Sequence, residues 1–168
     1  MYRAQDLQEG DIVLVDGRSA LAPLIRWATD APITHAAMAV AGGLVEALWP
    51  RVVASGQDKY QSTGYRYRVV ATVAQRTRAA AAIRSRVGLP YGWPELLADG
   101  ARDILHLPIG ARWHPSRYTC SGLVAWAYGL AGVVLTWAPL PSPADLAASP
   151  LLVGPRPWLG SDLHAADP

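Results

Sequence analysis

Short apolar runs bounded by turn residues alternate with stretches of helical spacing along this chain. Gly10-Asp11 precedes Ile12-Val13-Leu14-Val15, four apolar residues in a row, which predicts a buried strand. Leu21, Leu24, Ile25 and Ala28 recur at helical spacing behind Ser19, a good capping residue. They predict a helix from Ser19 to Ala28, ended by Asp30-Ala31-Pro32. Thr34 to Val40 reads as a strand, Gly42-Gly43 as a hairpin turn, and Leu44 to Trp49 as the returning strand. Tyr65 to Val73 alternates Tyr65, Tyr67 and Val69 with Arg66, Arg68 and Val70, which predicts a further strand. Ala74 to Val87 is an Ala- and Arg-rich helix closed by Gly88 and Pro90. Cys120 to Leu130 follows as a helix and Val133-Val134-Leu135 as a strand. Ser142-Pro143-Ala144-Asp145-Leu146 opens one helical turn, with Ser142 as cap and Pro143 at its first position.

Two stretches break the pattern. Tyr91 to Pro115 carries Trp93, Trp113 and three prolines, and reads as an irregular, aromatic-lined insertion. Such a loop either shapes a site on a rigid scaffold or forms a structural aromatic cluster. Tyr118 to Ala144 holds no charged residue and imitates a membrane span. Gly122, Gly129, Gly132, Pro139, Pro141 and Pro143 interrupt it, whereas a span needs roughly 20 apolar residues without such punctuation. It is read as a buried helix, a turn and a strand, so no transmembrane segment is expected.

With 168 residues, 51% hydrophobic and 17% charged, the chain fits one globular domain, assigned to residues 1–157 with a loose tail at 158–168. The net charge is only +2 and the basic residues are scattered, with Lys59 the sole lysine. Arg76, Arg78, Arg84 and Arg86 form a weak cluster, read as a solvated helix face, so nucleic acid is excluded as a partner. The polar start Met1-Tyr2-Arg3-Ala4-Gln5-Asp6 has no apolar core of a signal peptide, and a cytoplasmic setting is expected. Oligomeric state is not readable.

The chemistry centres on Cys120, the only cysteine. It cannot form an internal disulfide. Either it is a buried structural residue or, at a helix start where free N–H groups and the dipole favour an anion, it is a nucleophile. A nucleophile needs a base and an orienting group. Among His35, His106, His114 and His164, His35 differs because it opens a strand just after a Pro-containing turn. Its bland use is a sheet-end histidine bonded to backbone. Glu46 is the candidate orienter, a carboxylate after the apolar Leu44-Val45 on the returning strand, either solvated or functional. Register decides between these uses. A turn of Gly42-Gly43 alone sets Glu46 opposite Ala39, distant from His35. A loop from Val40 to Gly43 sets it opposite Ala37 and diagonal to His35, and a three-residue loop puts it on the wrong face. No paired Cys or His spacing supports a zinc site, so no metal or cofactor is expected.

Several segments resemble a known family. Gly10-Asp11-Ile12-Val13-Leu14, Ile25-Arg26-Trp27-Ala28-Thr29, Thr34-His35-Ala36-Ala37-Met38-Ala39-Val40 and Val45-Glu46-Ala47 are similar to the permuted papain-like hydrolases of the YiiX/YaeF type, a branch of the NlpC-related superfamily. Gly88-Leu89-Pro90-Tyr91, Tyr118-Thr119-Cys120-Ser121-Gly122-Leu123-Val124 and Ser142-Pro143-Ala144-Asp145-Leu146 continue the likeness, which covers residues 10 to about 153. Papain-like enzymes run Cys then His; the permuted branch runs His, an acidic or polar residue, then Cys, as His35, Glu46 and Cys120 do here. Gly122 and Gly92 stand where members commonly carry acidic residues, and the insertion between Tyr91 and Tyr118 is long.

The resemblance implies an α+β, circularly permuted papain-like/NlpC-like fold, with a small antiparallel sheet packed against helices and the Cys at a helix N-terminus. It implies a cysteine hydrolase with Cys120, His35 and Glu46 catalytic, acting through a thioester on an amide bond, with cell-wall peptides as a substrate class. Tyr91, Trp93 and Tyr118 are candidates to line the substrate cleft, or are core aromatics. Two other functions stand beside it. One is a lipid acyl hydrolase or acyltransferase of the lecithin:retinol acyltransferase-like type, against which Glu46 counts because those relatives typically have histidine as the third catalytic residue. The other is an inert module binding peptide or lipid.

Overall fold

The computed structural model describes residues 6–17, 32–92 and 117–154. The strands are β1 (Ile12–Val15), β2 (His35–Val40), β3 (Gly43–Leu48), β4 (Arg51–Ser55), β5 (Gly64–Val69) and β6 (Leu152–Val153). They form one antiparallel sheet in the order β4-β3-β2-β1-β5-β6. The helices are α1 (Val73–Arg84), α2 (Cys120–Leu130) and the short α3 (Pro143–Ala147). The α+β character with a small antiparallel sheet against helices is as the sequence led us to expect.

Strand alternation sorts the sheet into two faces. Ile12, Leu14, Ala36, Met38, Val45, Ala47 and Tyr67 join one core cluster with Ala79, Ala80 and Ile83 of α1 and Leu123, Val124, Ala127 and Tyr128 of α2. Val13, Val15, Ala37, Ala39 and Leu44 form the other cluster, with Leu7 and, at its edge, Tyr60. In α2 the buried positions Cys120, Leu123, Val124, Ala127 and Tyr128 follow the i, i+3, i+4, i+7, i+8 spacing of one helical face. Each buried Leu or Val contributes about 1.5–3 kcal/mol, so this stripe fixes α2 on the sheet. Cys120 opens the stripe and is thereby held against β2.

Caps set the helix starts. The Thr119 hydroxyl accepts from the Gly122 N–H at 3.1 Å, which starts α2 at Cys120. Thr72 and Gln75 form a reciprocal capping box at α1, and Ser142 and Asp145 form one at α3. The Tyr128 hydroxyl donates to the Gly10 carbonyl and ties α2 to the entry of β1. Gly10 has φ +84°, and a Cβ there would meet the Arg76 Cβ at 2.6 Å, so this crossing requires glycine.

The β2–β3 hairpin pairs Val40 with Gly43, leaving Ala41 and Gly42 as the turn, with Gly42 at φ +82°. This register sets Glu46 opposite Ala37. It is the second of the three arrangements weighed above, with a tighter turn.

Other expectations are corrected. The strand expected over Tyr65–Val73 ends at Val69, because the Val70 N–H turns to the Leu151 carbonyl and Thr72 caps α1. The helix expected to Val87 ends at Arg84, capped by Ser85. Val133–Leu135 is not a strand: the Val133 N–H closes the end of α2 on the Tyr128 carbonyl, and its alternating burial comes from packing without a ladder. Strands β4 and β6 were not foreseen. The helix expected over Ser19–Ala28, the insertion residues 93–115 and the tail beyond Pro157 lie outside the described residues. No helix among the described residues is long and apolar enough to cross a membrane.

Candidate active site

Three elements meet at the end of the sheet where β2 begins. His35 is the first residue of β2, paired with Val15 of β1. Glu46 shares the sheet face of Ala37, its cross-strand partner, and so lies diagonal to His35. The His35 Nε2 and Glu46 Oε2 atoms are 2.6 Å apart. Cys120, at the first turn of α2, makes a side-chain hydrogen bond to His35. Since Nε2 is engaged by Glu46, Nδ1 is the ring nitrogen left for the sulfur. The β2–β3 ladder stops at Ala37↔Glu46, and the N–H of the next residue, Ala36, is directed at Cys120 together with the Ser121 N–H.

This geometry moves protons. Burial would raise the Cys120 thiol, but the His35 hydrogen bond and charge, with the Ala36 and Ser121 N–H groups, outweigh it and lower the thiol below its ordinary range. Burial would lower His35, but the hydrogen bonds and charges of Cys120 and Glu46 raise it from 6.5 to about 9. Around neutral pH both directions favour the thiolate–imidazolium pair.

Glu46 is 1% exposed, and a buried carboxylate without partners is costly. Its Oε2 takes Tyr60 OH at 2.6 Å besides His35. Its Oε1 takes Ser55 Oγ at 2.5 Å and Lys59 Nζ at 2.6 Å. Burial opposes ionisation, but His35 first, then Lys59 and Ser55, hold Glu46 at about 2 instead of 4.5. A depressed carboxylate stabilises the fold fully above its unfolded value of 4.5, and the contribution is lost as pH falls toward about 2. Glu46→Gln has no such titration. The stability gap between wild type and Glu46→Gln will therefore narrow between pH 4.5 and 2 in urea unfolding. A gap constant over that range would contradict the assigned ionisation.

Ser55, Lys59 and Tyr60 were not found from the sequence. Ser55 lies two residues beyond Val53, the β4 partner of Glu46, so its place follows only once β4 is known. Lys59 and Tyr60 lie in the turn between β4 and β5, tied by Lys59 N–H to the Gly56 carbonyl and by Gly64 N–H to the Tyr60 carbonyl. The Tyr60 ring also stands 5.7 Å from the His35 ring. No spacing rule links a turn residue to a strand carboxylate; the one signal was that a chain rich in arginine keeps a single lysine here.

The three aromatic candidates fall differently. Tyr91 is half-buried, and burial and the Cys120 charge both raise its phenol, which places it near the sulfur. Its backbone bridges to Tyr118, and its N–H donates to the Pro50 carbonyl at 2.9 Å. Tyr118 is 2% exposed with its ring 5.3 Å from that of Trp126, a core position. Trp93 lies outside the described residues. Of the two departures noted in the sequence, Gly92 donates its N–H to the Tyr118 carbonyl and Gly122 donates to the Thr119 cap, so both serve local backbone geometry.

No protein-family model and no curated protein matches the chain. Among solved structures there are matches. One is the crystal structure of a protein described as metalloprotein YiiX from Escherichia coli O157:H7, with TM-score 0.67 and 20% identity over 88% of this chain and 95% of that one. At that identity the likeness is one of fold, extending over nearly the whole of the neighbour.

Proposed function

We propose that this chain is a cysteine hydrolase that cleaves an amide bond through a thioester acyl-enzyme, on a circularly permuted papain-like scaffold. One observation carries the reading: His35 is bonded on one side to the Cys120 thiol and on the other, at 2.6 Å, to a buried carboxylate. A structural cysteine has no use for that relay.

In the reaction, the Cys120 thiolate attacks the carbonyl carbon and forms an S–C bond, and the carbonyl electron pair moves to oxygen. The backbone N–H of Cys120, at the start of α2, is the proposed donor to that oxyanion. The protonated His35 gives its proton to the leaving nitrogen as the C–N bond breaks. Water then attacks the thioester, His35 accepts its proton, and the carboxylate product leaves with the thiolate restored. An imidazolium held at about 9 suits an amide, whose nitrogen must be protonated to depart. Peptides, including cell-wall peptides, are the proposed substrate class, with Tyr91 beside the sulfur as a lining residue.

YiiX is described as a metalloprotein, but these residues do not fit a metal. Each Glu46 oxygen already takes two donors, one of them an ammonium, and His35 spends Nε2 on the same carboxylate. Only the sulfur and Nδ1 remain, and among the described residues no third Cys, His, Asp or Glu completes a ligand group.

Two measurements test the proposal. Iodoacetamide should alkylate folded Cys120 with an apparent pKa well below the free value of roughly 8.5. Incubation with cell-wall peptides should release new amino groups, and Cys120→Ser should not. Slow labelling with a raised pKa would instead mark an inert binding module.

A further inference from the structure

We infer that Lys59, the only lysine of the chain, is a positioning residue of this site: its ammonium balances the buried Glu46 carboxylate, so that the His35 proton stays available to Cys120 and the leaving group. The inference rests on the thiolate–imidazolium reading above and adds a control on it.

His35 sits between two anions, the Cys120 thiolate and the Glu46 carboxylate. A carboxylate with 0% side-chain exposure and no other counter-ion would bind the imidazolium proton tightly. His35 would then be a poor acid, because a general acid works best when its pKa lies near the working pH. Lys59 Nζ stands 2.6 Å from Oε1, the oxygen His35 does not use. It also reaches Ser55 Oγ at 3.3 Å and lies 5.0 Å from the centre of the Tyr60 ring. Among the described residues the groups facing Glu46 are His35 from β2, Ser55 from β4, and Lys59 and Tyr60 from the β4–β5 turn. Cys120 of α2 lies beyond His35. Ser55 and Tyr60 satisfy lone pairs but bring no positive charge. Among these groups Lys59 is the one cation besides His35.

Placement supports this. The Lys59 side chain is 35% exposed, so its ammonium keeps part of its hydration while its stem packs inward. Lys59 and Tyr60 reach Glu46 from the β4–β5 turn, while Cys120 meets His35 from α2. A turn holding only its own shape would need neither the charge nor the buried acceptor.

The test is the titration of His35 by NMR in ¹⁵N-histidine-labelled full chain, its signals assigned with His35→Gln. In the wild type the midpoint is expected at about 9. In Lys59→Met, removal of the cation should raise it by about one pH unit, while Lys59→Arg keeps the wild-type value. Because Lys59 is the only lysine, acetylating the folded wild type and then treating it with hydroxylamine to free any thiol or phenol gives a second uncharged form that needs no refolding. An unmoved midpoint in the uncharged forms overturns the inference, and so does an equal rise in Lys59→Arg, which would trace the effect to turn geometry. A wild-type midpoint near 6.5 would instead remove the thiolate–imidazolium pair itself, and with it the proposed function.

Discussion

On the proposed mechanism, Cys120→Ser will reduce amide hydrolysis by on the order of 10⁴-fold or more, and His35→Ala will do the same, while both proteins stay folded. A serine hydroxyl ionises far above the range that His35, held at about 9, can reach. The Ala36 and Ser121 N–H groups that stabilise a thiolate would then face a neutral oxygen. Removing His35 takes away the strongest of the groups that lower the thiol, and also the proposed proton donor for the leaving nitrogen. Since the two residues act as a unit, the double variant should be scarcely worse than either single one. Cys120 is small and lies at the end of the α2 stripe, so serine there should cost the fold little, which thermal unfolding will check. Wild-type rates in Cys120→Ser would remove the mechanism. Glu46→Gln should be milder, with partial activity, because it keeps an acceptor for His35 while losing the charge.

The candidate site was more legible in the sequence than its surroundings. Two-residue alternation restricts where Glu46 can fall relative to His35, so counting the turn left three registers, and the Val40↔Gly43 closure selects the one that lets them meet. The α2 start was legible because Thr119 is a capping residue before a helical stripe. Strand β4 was hidden because Arg51 and Ala54 are exposed at the sheet edge and only Val52 is fully buried, which leaves a weak apolar signal. Without β4 the turn carrying Lys59 and Tyr60 had no location. Val133 to Leu135 failed in the opposite sense: apolar residues in extended chain imitate a strand when they pack on a core without a ladder partner.

Asp11→Ala will destabilise the fold by about 2–4 kcal/mol and leave the chemistry of Cys120 unchanged in the folded fraction. Asp11 is 0% exposed and was legible only as part of the Gly10-Asp11 motif. Its carboxylate takes two donors from Arg68 of β5, Nε on Oδ1 and a terminal nitrogen on Oδ2 at 3.1 Å, and the Gln8 N–H at 2.9 Å. Its backbone carbonyl accepts from Ala39 N–H at 2.7 Å, at the far end of β2 from His35. One residue thus joins the entry of β1 to both neighbouring strands. Removing the carboxylate leaves the Gln8 N–H unsatisfied and takes the anionic partner from Arg68, which keeps the Gln8 Oε1 acceptor at 2.6 Å. The Arg68 side chain is 32% exposed and recovers some hydration, which keeps the loss below that of a fully buried pair. Asp11→Asn retains an acceptor for Gln8 but loses the charge, and should fall between. For a chain of this size the alanine variant should melt roughly 5–15 °C lower. A melting temperature within about 2 °C of wild type would show that the Arg68 pair contributes nothing net. Iodoacetamide labelling of Cys120 well below the transition should match wild type, because Asp11 belongs to the end of the sheet remote from the sulfur. If labelling slows there as well, the entry of β1 and the thiol share one cooperative unit, and the separation of scaffold from chemistry fails.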